Sequence, residues 1–260
     1  MGLFGKSNRP NIEKLKKERD VEGLIGALRD KDSDVRNAAI EALSNVNDPR
    51  VSEEMIAALT DEDATVRRCA AVVLAASPDP RAKEPLIAAL KDEDATVRYC
   101  ATRALGNLVV SGPDARALEA LSAVLKDEDS DVRLCAGQAL CNMNDPGVVD
   151  ALVAVLKDEN WAGRGFAAVI LGQVDDGVAG TGDPRIIETL IAALKDEDAG
   201  VRKGAAMALG ALRDKRALEP LLTAGTAEQD PDVESAMDEA IARISGIRES
   251  VPSLDEMLPT

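Results

Sequence analysis

The groups in this chain that could do chemistry are four cysteines, repeated clusters of carboxylates and one glycine-rich run, and histidine is absent altogether. Without histidine there is no Ser-His or Cys-His nucleophile pair and no His-ligated metal centre. The thiols Cys69, Cys100, Cys135 and Cys141 offer disulfide, soft-metal or nucleophilic chemistry. The acidic clusters offer oxygen ligands, but a calcium loop needs alternating ligands, a central Gly and a terminal Glu about twelve residues on. Asp92-Glu93-Asp94-Ala95-Thr96-Val97-Arg98 has neither that Gly nor that Glu, so no metal site is expected. The run around Asp175-Asp176-Gly177 to Gly180 and Gly182 resembles a phosphate cradle, yet no strand precedes it and no Lys follows in Walker fashion. A loop is expected there. No catalytic residue and no cofactor are assigned.

These groups recur in register. An acidic cluster followed by Val-Arg is nearly verbatim at Asp61–Arg67, Asp92–Arg98, Asp127–Arg133 and Asp196–Arg202. Anchored on the Val, the series is Val35, Val66, Val97, Val132, Gly163 in place of Val, Val201 and Val233, with steps of 31, 31, 35, 31, 38 and 32 residues. A near-constant step marks a stacked supersecondary unit. The two long steps place insertions around Val109–Pro113 and at 175–182.

Each unit reads as two helices. In the third, Asp79-Pro80-Arg81 opens a first helix, with Pro80 tolerated in the first turn, and Leu86, Ile87 and Leu90 mark one helical face. After the acidic turn, Val97, Cys100, Ala101, Ala104 and Leu105 form one stripe of a second helix, which Gly106 is expected to end or loosen. Cys69, Cys100 and Cys135 each fall three residues after the anchor Val, on that stripe. Equivalent positions on neighbouring helices lie about 8–10 Å apart, beyond the roughly 7 Å reach of a disulfide, so buried free thiols are expected.

The carboxylates at the start of the second helices, such as Asp94 and Asp129, suit helix capping. Arg36, Arg67, Arg98, Arg133, Arg164 and Arg202 follow the anchor directly, and Glu234 replaces the Arg in the last unit. A guanidinium ladder is implied, reaching turn carboxylates such as Asp63, Asp94 and Asp129 of the same or an adjacent unit.

Positions two and six residues after the anchor lie opposite the core stripe. They read Asn37 and Glu41, Arg68 and Val72, Tyr99 and Arg103, Leu134 and Gln138, Gly165 and Val169, Lys203 and Met207, Ser235 and Glu239. Large apolar and cationic groups here point to a recognition surface, with Arg68, Val72, Tyr99, Arg103, Leu134, Gln138, Val169, Lys203 and Met207 as its candidate residues. Trp161, the only Trp, is either a further binding residue or a filler beside Phe166, Gly163 and Gly165.

Helix pairs with Asp-Pro-Arg at the entrance and Val-Arg-x-x-Ala-Ala-x-Ala-Leu-Gly in the second helix resemble HEAT repeats. The period of about 31 is similar to the HEAT-like repeats of the phycobilisome lyase type. The resemblance covers roughly residues 20–244. It implies an all-α, right-handed α-solenoid, an ARM/HEAT-like superhelix of about seven helical hairpins whose second helices line the concave side. Units are expected near 20–46, 47–77, 78–110, 111–143, 144–174, 183–212 and 213–245. The function it implies is a non-enzymatic scaffold for a protein or peptide partner, with a bilin lyase or chromophore-chaperone subunit as the alternative. The iron-binding His-Glu sets of deoxyhypusine hydroxylases, another HEAT-repeat family, cannot form in a chain without histidine.

Aromatic residues are 2% of the chain, so its 45% apolar content must pack as thin layers of Ala, Leu, Val and Ile. The net charge of −16 opposes a general role in nucleic-acid binding. No apolar run approaches the roughly 18 residues of a membrane span and no secretory signal is evident, which leads to the expectation of a cytoplasmic protein. Residues 1–19 carry a local +4, from Lys6, Arg9, Lys14, Lys16, Lys17 and Arg19 against two Glu. They read as a basic arm with a capping helix, without acylation because position 6 is Lys. Residues 246–260 read as a flexible tail.

Overall fold

The computed structural model describes residues 10–46, 48–110, 113–143, 145, 147–173 and 184–246. The insertion at 175–182, residues 1–9 of the basic arm and the tail from 247 lie outside the described residues. Among the described residues every regular element is a helix. A short helix, α1 (Ile12–Glu18), precedes seven pairs. The pairs are α2 (Val21–Ala27) with α3 (Ser33–Ser44), α4 (Pro49–Ala58) with α5 (Ala64–Ala76), α6 (Lys83–Ala89) with α7 (Ala95–Val109), α8 (Ala115–Val124) with α9 (Ser130–Asn142), α10 (Gly147–Val155) with α11 (Trp161–Leu171), α12 (Pro184–Ala193) with α13 (Ala199–Leu212), and α14 (Leu218–Gly225) with α15 (Pro231–Ser245). The protein is an all-α solenoid of helical hairpins. It divides after Met143 into two compact units.

In the first unit α3, α5, α7 and α9 pack side by side, each also against its own first helix. In the second, α11, α13 and α15 form the corresponding row. The stripe read from the sequence is the buried one: Val97, Cys100, Ala101, Ala104 and Leu105 are all at most 5% exposed. Its small members let the helices approach closely. A methyl group on Gly106 would lie 2.8 Å from the Cβ of Ala139. The expectation that Gly106 ends or loosens its helix is therefore overturned: α7 runs on to Val109, and the glycine instead admits α9. The unit's entrance also differs from a plain first helical turn. Pro80–Ala82 is a short 3₁₀ turn capped by Asp79, which leads into α6.

The second helices start in one way. Asp32, Asp63, Asp94, Asp129, Asp198 and Asp230 each cap a second helix through a side-chain oxygen. At α7, Asp94 Oδ1 accepts the N–H groups of Thr96 and Val97 at 2.8 and 3.0 Å. Asn160 does the same for α11, accepting from Gly163. A carboxylate there satisfies helix N–H groups that would otherwise lack partners and opposes the positive end of the dipole.

Candidate functional site

The repeated acidic turn and the Val-Arg dipeptide form a closed network. In the third unit, Asp92 Oδ1 accepts the N–H of Asp94, while Arg98 Nη1 donates back to the carbonyls of Asp92 and Glu93. The remaining edge of the guanidinium reaches forward one repeat in Arg67, Arg98, Arg164 and Arg202. Arg67 grips Asp92 through Nε and Nη2 at 2.7 and 2.8 Å, and Arg98 grips Asp127 at 2.8 and 2.9 Å. In the second unit Arg202 holds Glu228 at 2.7 and 2.8 Å, and Arg164 reaches Asp196 through Nη2 alone at 2.8 Å.

Two corrections to the ladder follow. The acceptors across repeats are the first acids of the next turn, not Asp63, Asp94 or Asp129, whose oxygens already serve helix N–H groups. Arg36, moreover, donates only to its own turn, at the carbonyls of Asp30 and Lys31. Its expected acceptor Asp61 is held by Arg29, and Arg36 Nε is buried with no acceptor among the described residues. Arg133 donates Nη1 to the carbonyls of Asp127 and Glu128.

The forward pairs have a pH signature. The hydrogen bond from Arg202 pushes the Glu228 carboxyl down to about 2. A folded-state pKa below the unfolded one adds stability that is complete above the ordinary glutamate range and is lost as pH falls through it towards 2. The Glu228 side chain is 5% exposed and Arg202 19%, so an effect of order 2 kcal/mol is expected after allowance for screening. Urea midpoints of the parent and Glu228→Gln should differ most at neutral pH and converge near pH 2. A constant gap would refute the linkage.

The cysteines behave as core groups. Cys69, Cys100 and Cys135 are buried and all four are free thiols. Burial raises each of them, Cys135 to about 11, so thiolate chemistry at neutral pH is suppressed.

Of the outward positions, the first unit holds Arg68 and Val72 on α5, Tyr99 and Arg103 on α7, and Leu134 and Gln138 on α9. Arg68, Val72 and Tyr99 are half-buried, Arg103 and Gln138 exposed, and Leu134 is 50% exposed. Tyr99, Leu134 and Gln138 line one hollow of about 340 Å³, with Thr96, Asp129 and Asp131 at its edge. Arg103 lies over the Tyr99 ring, 5.9 Å from its centroid. In the second unit Val169 and Met207 line a separate hollow of about 200 Å³ with Glu239 and Arg243, and Lys203 lies 3.6 Å from Asp232.

Trp161 is the first residue of α11 and is 59% exposed, which overturns the core-filling reading. The space its neighbouring glycines leave is taken by α13, since a methyl group on Gly204 would lie 2.9 Å from the Gly165 carbonyl oxygen. Sequence reasoning did not single out two apolar grooves between successive first helices. One, of about 730 Å³, has Ile87 and Leu90 facing Ala120 and Ala123; the other, of about 640 Å³, has Ile191 and Leu194 facing Ala224. The half-exposed Ile87 and Ile191 at matching repeat positions were the available signal.

Comparison with known proteins agrees with this geometry. The HEAT-repeat family profile matches residues 12–68, 52–140, 118–179 and 176–242, and the chain belongs to the HEAT-repeat family. The structure of the Escherichia coli protein YibA is similar at 20% identity over 92% of this chain and 99% of that one, with a TM-score of 0.51. Importin β is similar at 18% identity and a TM-score of 0.66, over 90% of this chain and 36% of that one. Kap95p, solved with RanGDP, matches at 15% identity and a TM-score of 0.67, over 90% of this chain and 37% of that one. The chain thus spans little more than a third of the length of those two, and likenesses at this identity establish the fold. A search of curated protein sequences returns no match. Among the described residues no helix is long and apolar enough to cross a membrane, and no cluster of His, Cys, Asp or Glu is disposed to hold a metal ion.

Proposed function

We propose that this protein is a non-enzymatic scaffold that holds a protein or peptide partner on the face formed by its second helices. The observation that carries this reading is the hollow in which Tyr99, Leu134 and Gln138 converge, on an outward face where the residues vary while the buried stripe repeats. Second helices pack on one another more closely than first helices do, which supports taking theirs as the inner side of each unit. A stiff inner face presents many modest contacts without an ordering cost of its own. Within the second unit the corresponding outward residues are Val169 and Met207, which share a hollow, together with Lys203 and the exposed Trp161. The net charge of −16 favours protein over nucleic acid as the partner class.

The test is proximity labelling in the native cell with the parent chain and a variant carrying Tyr99→Ser, Leu134→Ser and Val169→Ser. The captured partner should disappear with the variant while far-ultraviolet circular dichroism stays unchanged. Undiminished capture by a folded variant would overturn the assignment of the face. The bilin alternative rests on the repeat period, and burial of Cys69, Cys100 and Cys135 counts against a thioether at those sulfurs. Free bilin added to the purified chain is expected to show no red-shifted bound spectrum.

A further inference from the structure

Many arginines of the first unit hold carboxylates, although Arg36 donates to the carbonyls of its own turn instead. Arg50 holds Asp48, Arg81 holds Asp79 and Glu53, Arg116 holds Glu84, and Arg67 and Arg98 hold the acids of the next repeat. Arg68 and Arg103 are different. Among the described residues neither has a carboxylate within ion-pairing distance, although the chain carries an excess of sixteen negative charges. Arg103 lies over the Tyr99 ring, 5.9 Å from its centroid. Arg68 on α5 and Arg103 on α7 occupy outward positions of neighbouring second helices.

The reason lies one repeat away. Lys203, at the Arg68 position of its own repeat, meets Asp232, the residue just before the next anchor Val. The residue equivalent to Asp232 opposite Arg68 is Thr96, which carries no charge.

We propose that the partner segment received by the first unit is an acidic peptide, with carboxylates on Arg68 and Arg103 and an apolar side chain on Tyr99 and Leu134. This rests on the scaffold reading above. Two planar cations without a carboxylate of their own are poised for charge-assisted bonds, and a guanidinium already over an aromatic ring keeps its donor edges free for a carboxylate. The surrounding charge sets the limit on the ligand. Asp129 and Asp131 rim the hollow and the chain as a whole is strongly acidic, so a densely charged polyanion is repelled while a segment with a few spaced acids is accepted.

The test uses the full chain and a short fluorescein-labelled peptide of alternating Glu, Leu and Gly, read by fluorescence anisotropy. Its companions are the same peptide with Gln for Glu, the same with Lys for Glu, and a short single-stranded DNA. The acidic peptide should saturate, weaken with added salt, and lose about tenfold or more in affinity in the Arg68→Gln, Arg103→Gln double variant, the scale expected of lost charge-assisted bonds. Arg116→Gln, on a first helix, should bind it as the parent does, and circular dichroism should show all chains equally helical. Equal binding of the Gln peptide would overturn the acidic assignment while leaving the scaffold reading to the Ser variant. So would acidic-peptide binding that the double variant does not weaken, or its absence at any attainable concentration. DNA binding that exceeds the peptide's and depends on both arginines would replace the peptide by a nucleic acid.

Discussion

Arg98→Ala is expected to destabilise the chain by about 3–5 kcal/mol, seen as a large fall in the urea midpoint at neutral pH. The guanidinium is 8% exposed and its acceptor Asp127 10%, so truncation leaves a buried carboxylate without its counter-ion and the carbonyls of Asp92 and Glu93 without their donor. Losing one member of such a pair costs more than the pair contributes net, because the survivor stays desolvated. Arg98→Met combined with Asp127→Asn should therefore recover more than half of the loss, since an Asn oxygen can still accept the Asp129 N–H. Arg116→Ala, which breaks an exposed pair with Glu84, should change stability by less than about 0.5 kcal/mol. A small effect of Arg98→Ala would show that repeat packing, not the forward ion pair, ties neighbours together.

The second large effect concerns a single methyl group. Gly172→Ala should cost roughly 1–3 kcal/mol, because the new Cβ would stand 2.6 Å from the Cα and 2.8 Å from the Cβ of Ala208 on α13. Backbone cannot swing aside as a flexible side chain can, so α11 and α13 must separate along their contact. Gly26→Ala is the control. That glycine lies inside α2 with nothing within 4 Å of the added methyl, and the same substitution should stabilise by about 0.5–1 kcal/mol. Opposite signs in the urea midpoint are the expected result. Equal signs would mean that helix propensity outweighs interhelical spacing in this chain.

Much of the architecture was legible because a stripe with helical spacing can be buried in only one way. Val97, Cys100, Ala101, Ala104 and Leu105 announce both a helix and its inward side. What was not legible depends on partners outside the local segment. Asp92 and Asp94 are chemically identical and two residues apart, and only an accounting of donors shows that one receives the preceding arginine while the other caps a helix. Gly106 reads alike as a helix terminus or a helix contact, and the packing of α9 decides. The outward positions could be named from periodicity. That Arg68 and Arg103 lack carboxylates could not, except that for Arg68 the residue one repeat ahead is Thr96 where Lys203 meets Asp232. Trp161 stood between two readings because glycine neighbours suggest either a void or a close approach, and the structure shows the latter.

The forward grip of Arg67 on Asp92 and of Arg98 on Asp127 gives the array a grammar. Where the pair is made, the acidic turn offers a socket to the repeat before it and the arginine a plug to the repeat after it. A whole repeat can then be duplicated or deleted in register without leaving either fitting open, whereas a cut at the last hairpin strands Arg202 without Glu228. The near-verbatim copies Asp61–Arg67 and Asp92–Arg98 are such interchangeable cassettes, while the outward residues that the fittings do not use differ from repeat to repeat.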